Sequence, residues 1–212
     1  MKPLLLYPSY FPNIAHYVLI IKSEGDCFLE VNDNYQKQTF RNRCDILSAN
    51  GKLSLTIPVI YSQKNRQLTK DVKIFNEVNW QSQHLKSLQS AYRMSPFYEY
   101  YEDDLLPLFN RKFDFLLDFT LNCFELMNSL LGENLKVKQT KIYQTNSDEI
   151  LDFRHLVQPN KSAFKNYRYA QVYEQKFGFI ENLSILDLLF NEGPASMSYL
   201  TAETQRTQSF ES

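Results

Sequence analysis

A chain of 212 residues that is 43% hydrophobic and 15% aromatic can bury a packed core, and its length fits one large domain or two small ones. Its 23 basic and 24 acidic residues give a formal net charge of −1. That disfavours general binding to duplex nucleic acid, which needs a basic excess to neutralise many phosphates, but leaves room for a local site for one anion.

In chain order, "MKPLLLYPSYF" opens with an apolar run that Pro8 ends, short of the roughly 7–15 residues of a signal core, so no leader is expected. "PLLLYP" is predicted as a short buried strand. "NIAHYVLIIKS" is predicted as a helix with Asn13 as N-cap and Ile14, Val18 and Ile21 as its apolar stripe. "DCFLEVN" follows as a second short strand. Strand, helix and strand in such a short span predict a parallel start, in which ligands sit at the carboxyl ends of the strands. Those ends are residues 7–10 and 31–34. Directly after the second comes "NYQKQTFRNRC", residues 34–44, with three cations (Lys37, Arg41, Arg43) and no acid.

"ANGKLSLTIPVI" brings a turn at Asn50–Gly51 and a run with Leu53, Leu55, Ile57 and Val59 on one face, Pro58 marking an edge or strand end. "SQKNRQLTK" is a polar loop and "DVKIF" another short strand. Helices are predicted over "NWQSQHLKSLQSAYRMS", from Pro96 through "PFYEYYEDDLLPLF", and over 112–131, ended by Gly132. In the last, Asp114, Asp118, Asn122 and Glu125 form a polar stripe that a membrane span would not turn to lipid. A strand is expected in "LKVKQTKIYQ" and a loop over 145–169. "SILDLLFN" is expected as the last helix, stopped by Gly193–Pro194. Residues 201–212 have no apolar period and are expected as a flexible tail. The fold class predicted is α/β: a Rossmann-like parallel start, a short-stranded sheet and a mainly helical second half, in a single domain over 1–200.

The three cysteines, Cys27, Cys44 and Cys123, form no CxxC pair and are odd in number. A disulfide framework or zinc site is not expected; reduced, buried thiols in a cytoplasmic protein are. Only five glycines are present and no GxGxxG or P-loop pattern. A bound nucleotide would therefore be held by side chains and a helix N-terminus. Asn13-Ile14-Ala15-His16 is similar to the HIGH-type tetrad of nucleotidyltransferases and class I synthetases, though of its two polar ends only His16 matches strictly. The competing reading is a capped helix with a half-buried histidine. Lys37, Arg41 and Arg43 suit a phosphate or carboxylate, since the arginine fork binds oxyanions in a bidentate way. Alternation puts Arg41 and Arg43 on one face and Asn42 opposite. On a core face those charges need a partner; on a solvent face they need nothing.

Trp80 and His84 share a helix face that suits a sugar or base platform, or a helix docked by its tryptophan. Glu99, Glu102, Asp103 and Asp104 favour the helix dipole, and with no HxxE or HxH spacing beside them no structural metal is expected. No GxSxG is present and Cys44 has no histidine near it in sequence, so no nucleophile is apparent.

Together, "YPSYFPNIAHY", "NYQKQTFRNRC.I...NG.LSLTIPV", "WQSQHLKSLQSAY..SPFYEYYEDDL" and "LSILDLLFNEGP" resemble the WbqC-like proteins over nearly the whole chain. Pro8, Tyr10 and Pro12 match the opening of that family. Tyr7, Asn13, Ala15 and His16 replace its Gln, Trp, Gly and Tyr. Lys37, Arg41, Asn42 and Arg43 match its second motif; Trp80, His84, Tyr92 and Pro96 match its third. The resemblance implies a place in bacterial gene clusters for O-antigen and related surface polysaccharides. It also implies transfer of an amino acid such as glycine to a sugar.

The expectation is a cytoplasmic transferase with a small anionic substrate. His84 and His16 are the catalytic candidates; Tyr10, Asn13, Lys37, Arg41, Asn42, Arg43 and Trp80 are the substrate-binding candidates. One alternative is a non-catalytic module that holds a sugar nucleotide or a protein partner, favoured by a buried His16 with no cleft between it and the cations. A second is a nucleotidyltransferase-like enzyme using ATP and magnesium. Binding of single-stranded nucleic acid through aromatics and cations is a further rival, against which the charge balance speaks.

Overall fold

Leu4–Leu6 form strand β1, and all three leucines are buried. The computed structural model describes residues 2–61, 66–145, 148–161 and 164–206. After β1 come α1 (Ile14–Lys22), β2 (Cys27–Leu29), β3 (Arg43–Ser48), β4 (Gly51–Thr56), β5 (Val59–Ile60) and β6 (Lys73–Ile74). Helices α2 (Trp80–Tyr92), α3 (Tyr98–Asn110) and α4 (Leu116–Leu130) follow. The chain then runs through β7 (Lys138–Gln139), β8 (Leu151–Asp152), α5 (Glu174–Phe177), α6 (Ile185–Glu192) and α7 (Ser196–Arg206).

The main sheet is parallel, in the order β7-β2-β1-β8. Leu4 pairs with Cys27 on one side and with Leu151 on the other. Numbered among themselves along the chain, the four strands run 3-2-1-4, the Rossmann order. The chain winds one way from β1 to β2 to β7, and β8 lies on the opposite side. The carboxyl ends of β1 and β8 are therefore the topological switch point, the place where ligands of open α/β sheets bind. Strand β8 lies in the segment expected to be loop. It is only two residues long and half-buried, so no periodicity marks it; the ladder bonds Leu151 N–H to Pro3 C=O (2.9 Å) and Phe153 N–H to Leu5 C=O (3.0 Å) define it.

Strands β3 and β4 form a hairpin whose turn closes at Gly51, in left-handed backbone (φ 102°). The apolar face expected from Leu53 to Val59 is not continuous. Leu55 and Ile57 are buried, Leu53 is 37% exposed, and Pro58 passes Val59 to the separate pair β5–β6. The helix expected from 112 begins at Leu116. Pro107 lies inside α3, but on its exposed face, where the carbonyl it leaves unbonded can meet water.

Helix α6 is not the last helix. After Gly193–Ala195 the chain enters α7, which runs through Arg206 and packs on α1. The tail expected from 201 is thus helical at its start; its remainder, 207–212, lies outside the described residues. The buried residues Ser196, Leu200 and Glu203 recur at helical spacing, but Leu200 is the only large apolar one, so composition hid the helix. One cluster of buried side chains extends from Leu4 to Leu200. Among the described residues, no helix is long and apolar enough to cross a membrane.

Candidate functional site

Tyr7 and Ser9 follow β1, and Arg154 and His155 follow β8, so both strands deliver polar side chains to the switch point. Arg154 is held by the residue that ends its own strand. Its Nε donates to Asp152 Oδ1 (2.9 Å), its Nη2 to Oδ2 (2.7 Å) and its Nη1 to the Gln144 carbonyl (2.9 Å). Burial pushes the Asp152 carboxyl up, but the bonds and charge of Arg154 outweigh it and hold the group below its ordinary value. The Arg154 guanidinium lies 5.5 Å from the ring centre of the exposed Tyr143 and 5.9 Å from that of Tyr7.

On Tyr7 the guanidinium of Arg41 sits at 3.7 Å. Arg41 is 1% exposed, and its partner is Asp33, at 3.1 Å. The Tyr7 hydroxyl donates to the same Asp33 oxygen, and Arg41 also donates to the Asn34 carbonyl at 3.1 Å. Burial, then the bond to Asp33, raises the Tyr7 phenol above its ordinary value. The core face is thus the answer for Arg41, with Asp33 as the partner its charge needs.

The other members of the cationic segment diverge. Arg43 begins β3 and is half-buried, with a buried Nε that has no partner. Asn42, expected on the face opposite the arginines, is itself buried and donates to the Ile57 carbonyl (2.9 Å), tying the segment to the hairpin. The two arginines do not share a face because Arg41 precedes the strand rather than lying in it. Lys37 is exposed and lies 4.9 Å from the Tyr61 ring centre.

Asn13 caps α1 as expected, accepting from the His16 backbone N–H at 3.1 Å. The same oxygen lies 2.8 Å from His16 Nδ1. Because a backbone N–H can only donate, it fixes the amide with its oxygen toward His16. Nδ1 must then carry a proton, and Nε2 is left as a bare acceptor. The Ser9 hydroxyl donates to the Tyr7 carbonyl at 3.3 Å, and Nε2 of His16 faces the same oxygen, Ser9 Oγ, at 3.4 Å as a second acceptor for its one proton. His16 is 1% exposed, and burial, then the nearby His155, lowers its pKa to about 4. Phe11, in the same connection, is buried with φ 38°, a strained conformation for a bulky residue.

The N-terminus of α1 is not open to an anion. Ile14 N–H donates to the Leu183 carbonyl (3.1 Å), Ala15 N–H to Asn182 Oδ1 (3.0 Å) and His16 N–H to Asn13. Residues 182–185 cover the helix end, so its first-turn amides are spent on protein groups. This removes the geometry by which the Asn13-to-His16 tetrad would hold a triphosphate.

His84, Trp80 and Tyr10 meet in the core rather than at the switch point. His84 Nδ1 is 2.9 Å from the Tyr10 hydroxyl, and Trp80 stands edge-on to His84 at 5.2 Å and to Phe119 at 5.2 Å. Burial lowers the His84 pKa to about 4, against a hydrogen bond to the Thr56 backbone. The expected shared face of α2 exists, but it faces the aromatic core, which suits packing and not general-base work on a substrate. Tyr7, Ser9 and Asp33 fall within residues 7–10 and 31–34, the strand ends expected to meet a ligand, though none was named as a site residue; Arg154 and His155 lie in the segment expected to be loop.

Two further spaces border this region. A cavity of about 20 Å³, room for one water, has Tyr7, Ser9 and His16 in its wall. A surface groove of about 910 Å³ runs between α4 and residues 133–139. Among the described residues, no group of three or more His, Cys, Asp or Glu side chains is placed to hold a metal.

The family model described as the WbqC-like protein family matches residues 7–162 and 159–199. No curated protein and no solved structure matches the chain. The motifs around Tyr10, Arg41, Trp80 and Leu186 fall within the matched residues, which span three of the four sheet strands and every helix from α1 to α6, and the chain belongs to the WbqC-like protein family.

Proposed function

We propose that the protein is a cytoplasmic transferase of surface-polysaccharide (O-antigen-type) biosynthesis that moves an amino-acid-derived group such as glycyl to a sugar. An anionic or nucleotide-linked substrate binds at the carboxyl ends of β1 and β8. The observation behind this reading is the convergence of Tyr7, Ser9, Arg154 and His155 at the switch point of a 3-2-1-4 sheet. In this reading Arg154, His155 and Tyr143 face the substrate, Lys37 adds charge at the rim, and Arg41 with Asp33 holds Tyr7 in place. ATP with magnesium is disfavoured as substrate, because the α1 amides that would hold a triphosphate are occupied.

Thermal unfolding with sugar nucleotides, ATP–magnesium, glycine and other amino acids tests it, since a ligand of the folded state raises the midpoint by mass action. A shift with one sugar-nucleotide or aminoacyl class, lost in Arg154→Ala, is expected. ATP–magnesium should give none. A second reading, a binding module without chemistry, is favoured by the burial of His16. It predicts the same shift with no product when donor and acceptor are supplied together.

A further inference from the structure

We infer that Ser9, His16 and Asn13 form a nucleophile–base–orienting-amide relay, and that the enzyme works through an acyl group carried on Ser9. The geometry is Asn13 Oδ1 to His16 Nδ1 at 2.8 Å and His16 Nε2 to Ser9 Oγ at 3.4 Å; the Ser9 proton, which rests on the Tyr7 carbonyl at 3.3 Å, turns to Nε2 for transfer. The roles correspond to those of serine and cysteine acyl-transfer triads, which are recognised by arrangement and not by order in the chain. The N-cap bond does double duty here. It caps the start of α1 and, by pinning the Asn13 amide, leaves Nε2 as the proton acceptor facing the Ser9 oxygen. Contacts near 3.4 Å are ordinary for such pairs before substrate binds.

Two independent features bear on how the relay is reached. The connection from β1 to α1 holds Phe11 at φ 38°, and such strain gathers at functional sites. The cavity beside Ser9 and His16 also shares Leu121, Phe124 and Val137 with the large groove. Those three side chains form the wall between a solvent-open channel and the relay. In the groove, the 7%-exposed Asn128 has an Oδ1 without a partner, a buried acceptor for a hydroxyl or amide donor.

The chemistry balances with an ester or thioester donor. Ser9 Oγ attacks the carbonyl carbon as its proton passes to His16 Nε2. The bond from carbon to the leaving oxygen or sulfur breaks, and that atom takes the proton from Nε2. An acceptor hydroxyl or amine then attacks the Ser9 ester, gives its proton to Nε2, and the Ser9 oxygen leaves and regains a proton. The assignment rests on the transferase reading for its substrate, not for its nucleophile.

The test uses the full chain and a fluorophosphonate probe, with the adduct located and its rate followed by peptide mass spectrometry. The expected result is a single adduct on Ser9, absent in Ser9→Ala and at least about 100-fold slower in His16→Ala. Free imidazole should restore the His16→Ala rate, which separates a lost base from a lost fold. Leu121→Ala, which thins the wall to the groove, should label several-fold faster than wild type. The inference is overturned by no adduct on Ser9 in either wild type or Leu121→Ala. It is equally overturned by a His16→Ala rate that is unchanged, or reduced without imidazole rescue. Labelling of Ser9 with a silent ligand panel would sink only the substrate reading; a ligand shift without labelling would sink only the relay.

Discussion

The guanidinium of Arg41 lies 3.7 Å from the centre of the Tyr7 ring, and both side chains bond one oxygen of Asp33. A fully buried cation is thereby neutralised and covered by an aromatic face. Arg41→Ala strips Asp33 of its counter-charge, and Asp33→Ala leaves Arg41 buried and unpaired. Each should cost about 3–5 kcal/mol in urea denaturation. Arg154→Ala should also lose stability, because Asp152 and the Gln144 carbonyl lose a shared donor. Loss of ligand response in either arginine variant is therefore to be judged at a temperature where the variant is folded.

Stability should fall on acidification, and the sign follows from the two buried histidines set against the buried carboxyls. His16 and His84 have folded pKa values of about 4 against 6.5 unfolded, so the unfolded chain binds their protons first. Their contribution is complete above about pH 6.5 and is lost as pH falls toward 4, on the order of 3 kcal/mol each. Asp187 acts the other way. Burial raises its pKa to about 6 from 3.8, so the folded state takes that proton first and gains stability as pH falls through this window. Glu203, also raised chiefly by burial, adds to the Asp187 side, and the two histidines set the sign, a net loss between pH 6.5 and 4. Asp187→Asn should steepen the fall by removing its opposing contribution, as a pH series of denaturation curves would show.

Asp187 is completely buried and accepts from the Tyr92 hydroxyl (2.7 Å), the Tyr169 hydroxyl (2.6 Å) and the Gln171 amide (3.1 Å). Asp187→Ala would orphan the Tyr92 and Tyr169 hydroxyl donors, while the Gln171 amide keeps the Ile180 carbonyl (2.9 Å), and should cost at least about 2 kcal/mol. Tyr169→Phe, which removes one donor and leaves the others paired, should cost about 1 kcal/mol. Equal losses in the two variants would disprove the network account.

Gly193 sits at φ 52°, and a Cβ there would lie 2.5 Å from the Phe97 ring. Gly132 has φ 72° but nothing within 4 Å of an added Cβ. Gly132→Ala should cost only the left-handed penalty, about 1–2 kcal/mol. Gly193→Ala should cost clearly more, since Phe97 must move away from the start of α3. Comparing the two midpoints checks this directly.

The opening strand, helix and strand were legible because Leu4–Leu6 form an apolar run and Asn13 precedes a helical stripe. Strand β8 was not, because two half-buried residues carry no pattern and only backbone bonds to Pro3 and Leu5 create it. With it Arg154 and His155 were lost. The buried face of α2 could be read from Trp80, His84 and Leu88, but not whether a core or a cleft lay opposite. Ser9 fell within the expected strand end 7–10, but its approach to His16 escaped, because in a connection spacing along the chain says nothing of distance. The partner of Arg41 stands only eight residues earlier, yet the turn that brings Asp33 under it depends on pairing of Asn34 with Leu68.

Leu4 pairs in register with Leu151, and the first turn of α1 is sealed by residues 182–185. The centre of the sheet is therefore made early in synthesis but completed last. Such long-range closure slows folding and leaves β1 with an unpaired edge while the ribosome is still extending the chain. Proteins cut short before β8 should emerge as sticky fragments, and a chaperone that covers apolar edges would find its natural client in the nascent N-terminal half.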